Sequence, residues 1–260
     1  MKHRIFRMAA LFFAAVMLAS GLGLASELWR YRQGRQAYEE LVRYARTESP
    51  PPETEGLKED PAETAGNGLA KSGGGLTVDF EALKEINPDT AAWIYGPDTG
   101  ISYPVVLGGD NDYYLTHLFD GAENRSGCPF LDFRTSPDLS DPHIVIYGHH
   151  MRDGSMFTPL KYYRDQAYYE SHPEFALLTP DSAFTMEIFS IYVADDQADA
   201  WQLTFSGEDQ REAWLAGLED KSMIRCQAGA DPEAQTLTLS TCTYEFENAR
   251  LVVHGNLRPR

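Results

Sequence analysis

Cysteine is scarce in this chain of 260 residues, which has three: Cys128, Cys226 and Cys242. The odd number leaves at least one thiol free or paired between chains, and so few cysteines exclude a disulfide-rich scaffold. A bridge between Cys128 and Cys226 stays open at this point. No cysteines or histidines have the spacing of a metal site, such as C-x-x-C or H-E-x-x-H, so we expect no metal.

Basic residues are outnumbered, because 22 Lys and Arg face 39 Asp and Glu and give a formal net charge of −17. The first 35 residues hold six Lys or Arg and one Glu, so they carry +5 and the remaining 225 residues carry −22. Nucleic-acid binding needs a basic face that neutralises phosphates, and this charge excludes nucleic acid as a partner. An acidic exterior keeps a domain soluble and can attract cationic partners, but it does not identify a particular partner.

Charged residues are absent from Met8 to Ser26, a run of 19 residues. A run of this length can cross the core of a bilayer as a helix, and we predict a transmembrane signal-anchor over residues 8–27. A short cytoplasmic head over 1–7 would precede it, and the rest of the chain would be extracellular. A cleaved signal peptide is the alternative, because several small residues suit a cleavage site. They are Ala19, Ser20, Gly21, Ala25 and Ser26.

Large apolar residues are almost missing between residues 47 and 76, a stretch rich in Pro, Glu, Gly and Ala. Such a segment cannot form a packed core, so we predict a flexible linker over 47–76. Before it, apolar residues at helical spacing predict a helical stalk over 28–46 that continues the membrane helix. After it, residues 77–260 are expected to form one folded domain.

The domain alternates short apolar runs with turn residues, a pattern typical of β proteins. The candidate strands are 92–95, 101–106, 144–147, 175–178, 184–193, 236–241 and 251–257. A short helix from Asp79 to Ile86 is predicted before the first of them, and one helix over 207–221, which would begin with a capping box at Ser206, interrupts the series. Many short strands with few helices predict a mainly β fold that forms a closed or nearly closed barrel.

Three reactive side chains lie at the ends of apolar runs. Cys242 ends one run, Arg250 begins the next, and His149 follows the run Ile144–Gly148. A thiol can attack a carbonyl, an imidazole can move protons near neutral pH, and a fixed cation can stabilise an oxyanion. The interval between Cys242 and Arg250 leaves room for a hairpin-like loop that would bring them together.

Each of these residues also has an ordinary interpretation. A lone cysteine is often a buried inert thiol, a loop histidine often makes one structural hydrogen bond, and most arginines are surface residues. His150 competes directly with His149, and spacing alone does not separate the two.

Taken together, the motifs resemble those of the sortases, cysteine transpeptidases of Gram-positive cell surfaces, and of class B in particular. The resemblance covers about residues 77–260 and includes the helix at 207–221. It rests on Asn87-Pro88-Asp89, Trp93-Ile94, Tyr103-Pro104-Val105-Val106, Asp112-Tyr113-Tyr114-Leu115, Phe130-Leu131-Asp132, Tyr147-Gly148-His149-His150-Met151, Gly154-Ser155-Met156-Phe157, Leu160-Lys161-Tyr162 and Thr238-Leu239-Ser240-Thr241-Cys242 with Arg250. It implies a sortase-type closed β-barrel of about eight strands with a few peripheral helices.

The resemblance also implies roles for individual residues. Cys242 would be the nucleophile, His149 rather than His150 the general acid and base, and Arg250 the group that stabilises the oxyanion or positions the substrate. The backbone N–H of Thr243 would be a second oxyanion donor. Ser240, Thr241 and Tyr147 are expected to line the substrate groove. The family needs no metal or organic cofactor, and Asp132 and Asp153 are candidate acids only because they lie nearby in the sequence.

We therefore expect a membrane-anchored transpeptidase that cleaves an Asn-Pro-x-Thr type sorting signal after its Thr through a thioester. Its partners would be secreted surface proteins that bear the signal and an amine of a peptidoglycan precursor or cross-bridge. A pilin-polymerising sortase, a cysteine peptidase and an L,D-transpeptidase-like enzyme are alternatives that use the same chemistry. A membrane-anchored binding module with an inert cysteine is the alternative without catalysis.

Overall fold

The computed structural model describes residues 2–47, 69–71 and 75–260. The helices are α1 (Lys2–Leu41), α2 (Phe80–Ile86), α3 (Gln166–Ser171) and α4 (Glu208–Asp220), with 3-10 turns at Val42–Tyr44, Tyr113–Leu115, Thr158–Arg164 and Asp199–Trp201. The strands are β1 (Ala45–Thr47), β2 (Leu69–Lys71), β3 (Leu76–Asp79), β4 (Thr90–Gly96), β5 (Ile101–Val106), β6 (Phe130–Leu131), β7 (His143–Tyr147), β8 (Glu174–Leu178), β9 (Ala183–Ala194), β10 (Gln235–Cys242) and β11 (Arg250–Pro259).

Eight strands close into a barrel in the order β10-β11-β9-β8-β4-β5-β6-β7. Most neighbours are antiparallel, but β10 pairs with β7 and β5 pairs with β6 in parallel. This confirms the predicted mainly β closed barrel, and each of the seven predicted strands overlaps an observed one. The eighth, β6, has two residues and is too short to show an alternating pattern.

Alternate residues of the strands fill the barrel interior. Leu237 and Leu239 of β10 are fully buried there with the apolar side chains of the neighbouring strands. Successive side chains of a strand point to opposite faces, so Thr238, Ser240 and Cys242 face outward. Thr238 and Ser240 are nevertheless buried, and the outer face that they share carries the polar groups of the site.

A second apolar cluster packs α4 against this outer face. Its members are Phe189, Tyr192, Ala194, Ala200, Trp214, Leu215, Leu218 and Val252. The helix predicted over 207–221 is confirmed, but the capping box at Ser206 is wrong. Gly207 precedes the helix without a side-chain cap, and Gln210 Oε1 instead accepts a hydrogen bond from the N–H of Ser206 at 2.6 Å.

Residues 8–27, for which we predicted a membrane anchor, belong to the single helix α1. Among the described residues, no helix has a stretch that is both long and apolar enough to cross a bilayer. The structure therefore does not support the predicted membrane helix. The division of the chain into head, anchor, stalk, linker and domain stays a prediction, and most of 47–76 lies outside the described residues.

The C-terminal half of α1 packs against the barrel. The phenol of Tyr38 donates a hydrogen bond to the carbonyl of Gly127 at 2.5 Å, and its ring meets Tyr103 edge-on with centroids 5.4 Å apart. Gly34 lies so close to Ser126 that a Cβ at position 34 would be 2.5 Å from Ser126 Oγ. The segment predicted as a stalk thus contributes buried side chains to the core of the barrel domain.

Candidate active site

A cavity of about 390 Å³ opens where β7 and β10 end on the outer face of the barrel. The strands and their ends supply Phe130, Tyr147, Gly148, His149, Ser240, Thr241, Cys242 and Arg250 to its lining. Loops supply Asn111, Leu115, Asp132, Arg134, Asp196 and Trp201. All three predicted catalytic residues therefore line one cavity, together with Ser240, Thr241 and Tyr147. Thr243 is not among the lining residues.

Strand register brings the three reactive side chains together. Cys242 lies opposite Arg250 in the antiparallel β10–β11 pairing. Ser240 lies opposite Tyr147 in the parallel β7–β10 pairing, and its carbonyl accepts the N–H of Gly148 at 3.0 Å. His149 follows directly, so it leaves β7 beside the end of β10 that carries Cys242.

Gly148 is required by close packing just before His149. A Cβ at position 148 would lie 2.6 Å from two ring carbons of Phe157, which is fully buried. The N–H of Phe157 also donates to the carbonyl of His149 at 3.0 Å. The backbone that carries the imidazole is therefore fixed between β10 and the Phe157 ring.

Replacing Gly148 with alanine should destabilise the fold and displace His149. The clash with Phe157 is with a buried ring rather than a flexible end, and overpacking of this kind costs about 1–3 kcal/mol. Urea unfolding should show a lower midpoint, and turnover should fall with it. Gly217→Ala is the matched control, because nothing lies within 4 Å of a Cβ there and alanine favours the helix. Equal midpoints for both variants would contradict the packing argument.

The ring of His149 is held by one hydrogen bond. Its Nε2 lies 2.7 Å from the carbonyl oxygen of Leu115. A carbonyl oxygen only accepts, so Nε2 carries the hydrogen in this arrangement, and Nδ1 has the lone pair when the ring is neutral. Nδ1 is thus the atom that can accept a proton from a thiol.

His150 contacts the main chain instead. Its Nδ1 donates to the carbonyl of Cys242 at 2.8 Å, and its ring lies 5.4 Å from that of Tyr244. This contact fixes the backbone of Cys242, and His150 does not line the cavity. The geometry supports His149 as the acid and base, which stays a prediction.

The loop between Cys242 and Arg250 is closed by its own hydrogen bonds. The N–H of Thr243 donates to the carbonyl of Ala249 at 3.0 Å, and Nη1 of Arg250 donates to the same oxygen at 3.2 Å. The N–H of Thr243 is therefore already bonded, so its predicted role as an oxyanion donor has no support in this geometry.

A buried carboxylate belongs to the lining of the cavity. Asp132 accepts hydrogen bonds from Arg134 Nε at 2.7 Å and Nη2 at 2.8 Å, from the hydroxyl of Tyr147 at 3.0 Å and from Asn111 Nδ2 at 3.2 Å. Burial raises the pKa of Asp132, but the hydrogen bonds from Arg134 outweigh it and leave the pKa lowered. The carboxylate stays ionised at neutral pH and orients Tyr147.

The two acids that lie near His149 in the sequence have other partners. Asp132 is bonded as described above, and Asp153 accepts from Ser155 Oγ at 2.6 Å and faces Arg35 at 3.7 Å. In the part of the chain that the structure describes, the bonded partner of the His149 ring is the Leu115 carbonyl. The positioning of this ring therefore depends on a backbone oxygen rather than on a carboxylate.

Ser240 has a buried hydroxyl beside Cys242. Its oxygen has no hydrogen-bond partner among the described residues, and the same holds for Thr241. Strand alternation puts Ser240 on the cavity side and Thr241 on the barrel side. A buried unpaired hydroxyl costs about 1–3 kcal/mol, so a ligand that bonds to Ser240 would recover this free energy.

The three cysteines are free thiols in the structure. Burial raises the pKa of Cys128 to about 12 and that of Cys226 to about 11, which makes both poor nucleophiles. No group of three or more His, Cys, Asp or Glu that could hold a metal ion occurs among the described residues.

Comparison with known proteins agrees with this geometry. A model of the sortase domain matches residues 94–258. The sortase B of Listeria monocytogenes is 31% identical over 186 residues, which are 71% of this chain and 76% of that protein. The chain belongs to the class B sortases. Sortases are cysteine transpeptidases, so the predicted class of enzyme is confirmed.

Solved sortase B structures have the same fold. That of Bacillus anthracis is 28% identical with a TM-score of 0.72, and the match covers 90% of this chain and 100% of that one. A sortase B–substrate complex of Staphylococcus aureus is 28% identical with a TM-score of 0.66, over 70% of this chain and 85% of that one. The eight-stranded barrel of this sortase thus matches the fold of the solved sortase B structures.

Proposed function

We propose that this sortase cleaves an Asn-Pro-x-Thr type sorting signal after its Thr and joins the new carboxyl end to a cell-wall amine. The observation that supports this most is the meeting of Cys242, His149 and Arg250 at one cavity through the register of three strands. These residues supply a nucleophile, a proton carrier and a fixed positive charge, which are the parts that acyl transfer needs.

In the first step, Nδ1 of His149 takes the proton of the Cys242 thiol, and the sulfur attacks the carbonyl carbon of the substrate Thr. The carbonyl oxygen gains a negative charge that the guanidinium of Arg250 stabilises. The pairing of Arg250 with Cys242 across β10 and β11 supports this role.

In the second step, the bond between Thr and the next residue breaks. The imidazolium of His149 gives its proton to the departing amine, and the Thr carbonyl stays on Cys242 as a thioester. An amino group of the wall peptide then attacks the thioester carbon and loses a proton to His149. The Cys242 sulfur leaves as the thiolate and takes this proton from His149, which restores the enzyme.

The cavity walls suit an extended peptide. Leu115 and Trp201 offer apolar surface to a Pro side chain, while the unpaired hydroxyl of Ser240 can bond to a peptide group beside the reacting carbonyl. A solved sortase B of Staphylococcus aureus is a complex with its substrate, which supports substrate binding by a domain of this fold.

The partners of this chain follow from this activity. We place the domain at the cell surface, where secreted proteins that bear the signal meet the amines of peptidoglycan precursors or cross-bridges. The negative net charge attracts acceptors whose amine is protonated in solution and disfavours anionic ones.

A peptide ligation assay tests the proposal. The full chain is incubated with a fluorogenic Asn-Pro-Gln-Thr peptide, with and without a glycine-peptide amine, and the products are identified by mass spectrometry. We expect a ligated product only when the amine is present. Hydrolysis alone in the presence of excess amine would indicate a peptidase. An intact peptide, with Cys242 still reactive toward a thiol reagent, would contradict the proposed signal.

A further inference from the structure

Two histidines outside the cavity form a buried hydrogen-bonded chain on the outer face of the barrel. His143 begins β7 and His254 lies in β11, and both are almost completely buried. Oγ1 of Thr238 lies between them, 2.7 Å from His143 Nε2 and 2.7 Å from His254 Nδ1. Nδ1 of His143 lies 2.8 Å from the carbonyl oxygen of Gln202.

Neutral rings fix the direction of this chain. Burial lowers the pKa of His143 to about 4 and that of His254 well below its ordinary value, so neither ring is charged at pH 7. The Gln202 oxygen only accepts, so the single hydrogen of His143 is on Nδ1, and its Nε2 accepts. Thr238 must then donate to His143, and Nδ1 of His254 must donate to Thr238.

The chain ends on the wall of the active site. Gln202 directly follows Trp201, which lines the cavity from the insertion between β9 and β10. The Trp201 ring lies 6.0 Å from that of Tyr147, across the cavity lining. From the other side, Trp214 Nε1 of α4 donates to the carbonyl of Asp199 at 2.9 Å. The Trp201 segment is thus tied to α4 at Asp199 and to the barrel at Gln202.

We propose that His143 is a positioning residue of the transpeptidation reaction, which holds the Gln202 carbonyl and so keeps Trp201 in place as a wall of the peptide cavity. Thr238 and His254 keep the hydrogen of His143 on Nδ1, where it meets this carbonyl. The identity of the peptide rests on the proposed function, whereas the effect on Trp201 does not.

Stability alone does not account for this arrangement. The chain buries three polar side chains among Phe189, Tyr192 and Trp214, and Nε2 of His254 has no hydrogen-bond partner among the described residues. Apolar side chains of similar volume would pack there without the cost of desolvation. A chain of hydrogen bonds with one fixed direction instead holds the carbonyl group at its end, that of Gln202, in one position.

A pair of substitutions separates the two bonds of His143. In H143N the amide N–H can replace Nδ1 and keep the bond to Gln202, whereas in H143Q the longer side chain reaches Thr238 and loses Gln202. We expect H143Q in the full chain to raise KM for the sorting peptide about tenfold, as expected for one lost hydrogen bond. The kcat of H143Q should stay within about twofold of that of the unaltered enzyme. The KM of H143N should stay within about threefold of that of the unaltered enzyme.

Quenching of Trp201 fluorescence by acrylamide provides a readout that needs no substrate. A parallel Trp201→Phe series isolates its signal from the other tryptophans. H143Q should increase the quenching of Trp201, and H143N should increase it much less. His172→Gln should leave it unchanged, because His172 contacts the carbonyl of Tyr168 and does not line the cavity. Unchanged quenching in H143Q, or equal effects of H143N and H143Q, would overturn the proposal. If the peptide is no substrate, the quenching still decides the role of His143 while the proposed function alone fails.

Discussion

Replacing Cys242 with alanine should abolish ligation, with a loss of at least about a thousandfold in kcat. The reaction passes through a bond to sulfur, and alanine offers no atom that can replace it. Cys242 lies at the end of β10, only partly buried, so the barrel should fold as before. Mass spectrometry should detect an acyl-enzyme in the unaltered chain and none in the variant.

Cys226→Ala is the matched control for this substitution. Cys226 is also partly buried, but burial raises its thiol pKa to about 11, and it does not line the cavity. Its removal should leave ligation within about twofold. A thiol reagent should label Cys242 first in the native chain. Ligation that persists in Cys242→Ala would refute the assignment of the nucleophile, and loss of activity in Cys226→Ala would point to a different thiol.

Replacing Arg250 with lysine should lower kcat about a hundredfold to a thousandfold with little change in KM. The guanidinium already donates through Nη1 to the carbonyl of Ala249, and its other N–H groups remain for the oxyanion. A lysine ammonium is a compact charge and lacks this planar fork, so it cannot hold the loop and face the cavity at once. Steady-state kinetics with the sorting peptide separate the two constants.

Arg258→Lys is the matched control, because it makes the same substitution on β11 away from the cavity. It tests whether the loss of kcat depends on position 250. Arg258 lies eight residues further along β11 and pairs with Glu187 at 2.7 Å and Asp231 at 2.8 Å, away from the cavity. Exposed ion pairs contribute little, so ligation should stay within about twofold. Near-normal turnover in Arg250→Lys would assign Arg250 a structural role in the β10–β11 loop.

Local patterns explain why so much of the barrel could be predicted. The strands from β7 to β11 combine β-branched and apolar runs with clear turn residues, and both signals lie within a few residues of sequence. The parallel pairing of β7 with β10 has no such signal, because its partners are about ninety residues apart. Alternation shows which residues share a face, but not which strand lies beside them.

The residues of the candidate site also fall into two groups, those that a local sequence pattern predicts and those that depend on the folded structure. The proximity of Cys242 and Arg250 could be predicted because one short loop joins their strands. His149 was a candidate from its place after an apolar run, and the choice of His149 over His150 came from the resemblance. Asn111, Arg134, Asp196 and Trp201 were missed, since they lie in loops without periodicity. One signal was present for Arg134, which lies two residues after Asp132 and can pair with it. The bond from Thr243 to Ala249 depends on the folded loop and leaves no trace in the sequence.

The small sheet β1-β3-β2 has a consequence for how this protein can vary. Thr47 pairs with Leu76, and Leu69 pairs with Asp79, so the described residues on either side of 48–68 pair with the same strand, β3. Insertions or deletions between these ends would therefore leave α1 and the catalytic cavity in the same relative position. Loop-closure entropy changes only slowly with length, so such changes also cost little stability. The length of this stretch can therefore vary between related proteins while α1 and the cavity keep their arrangement.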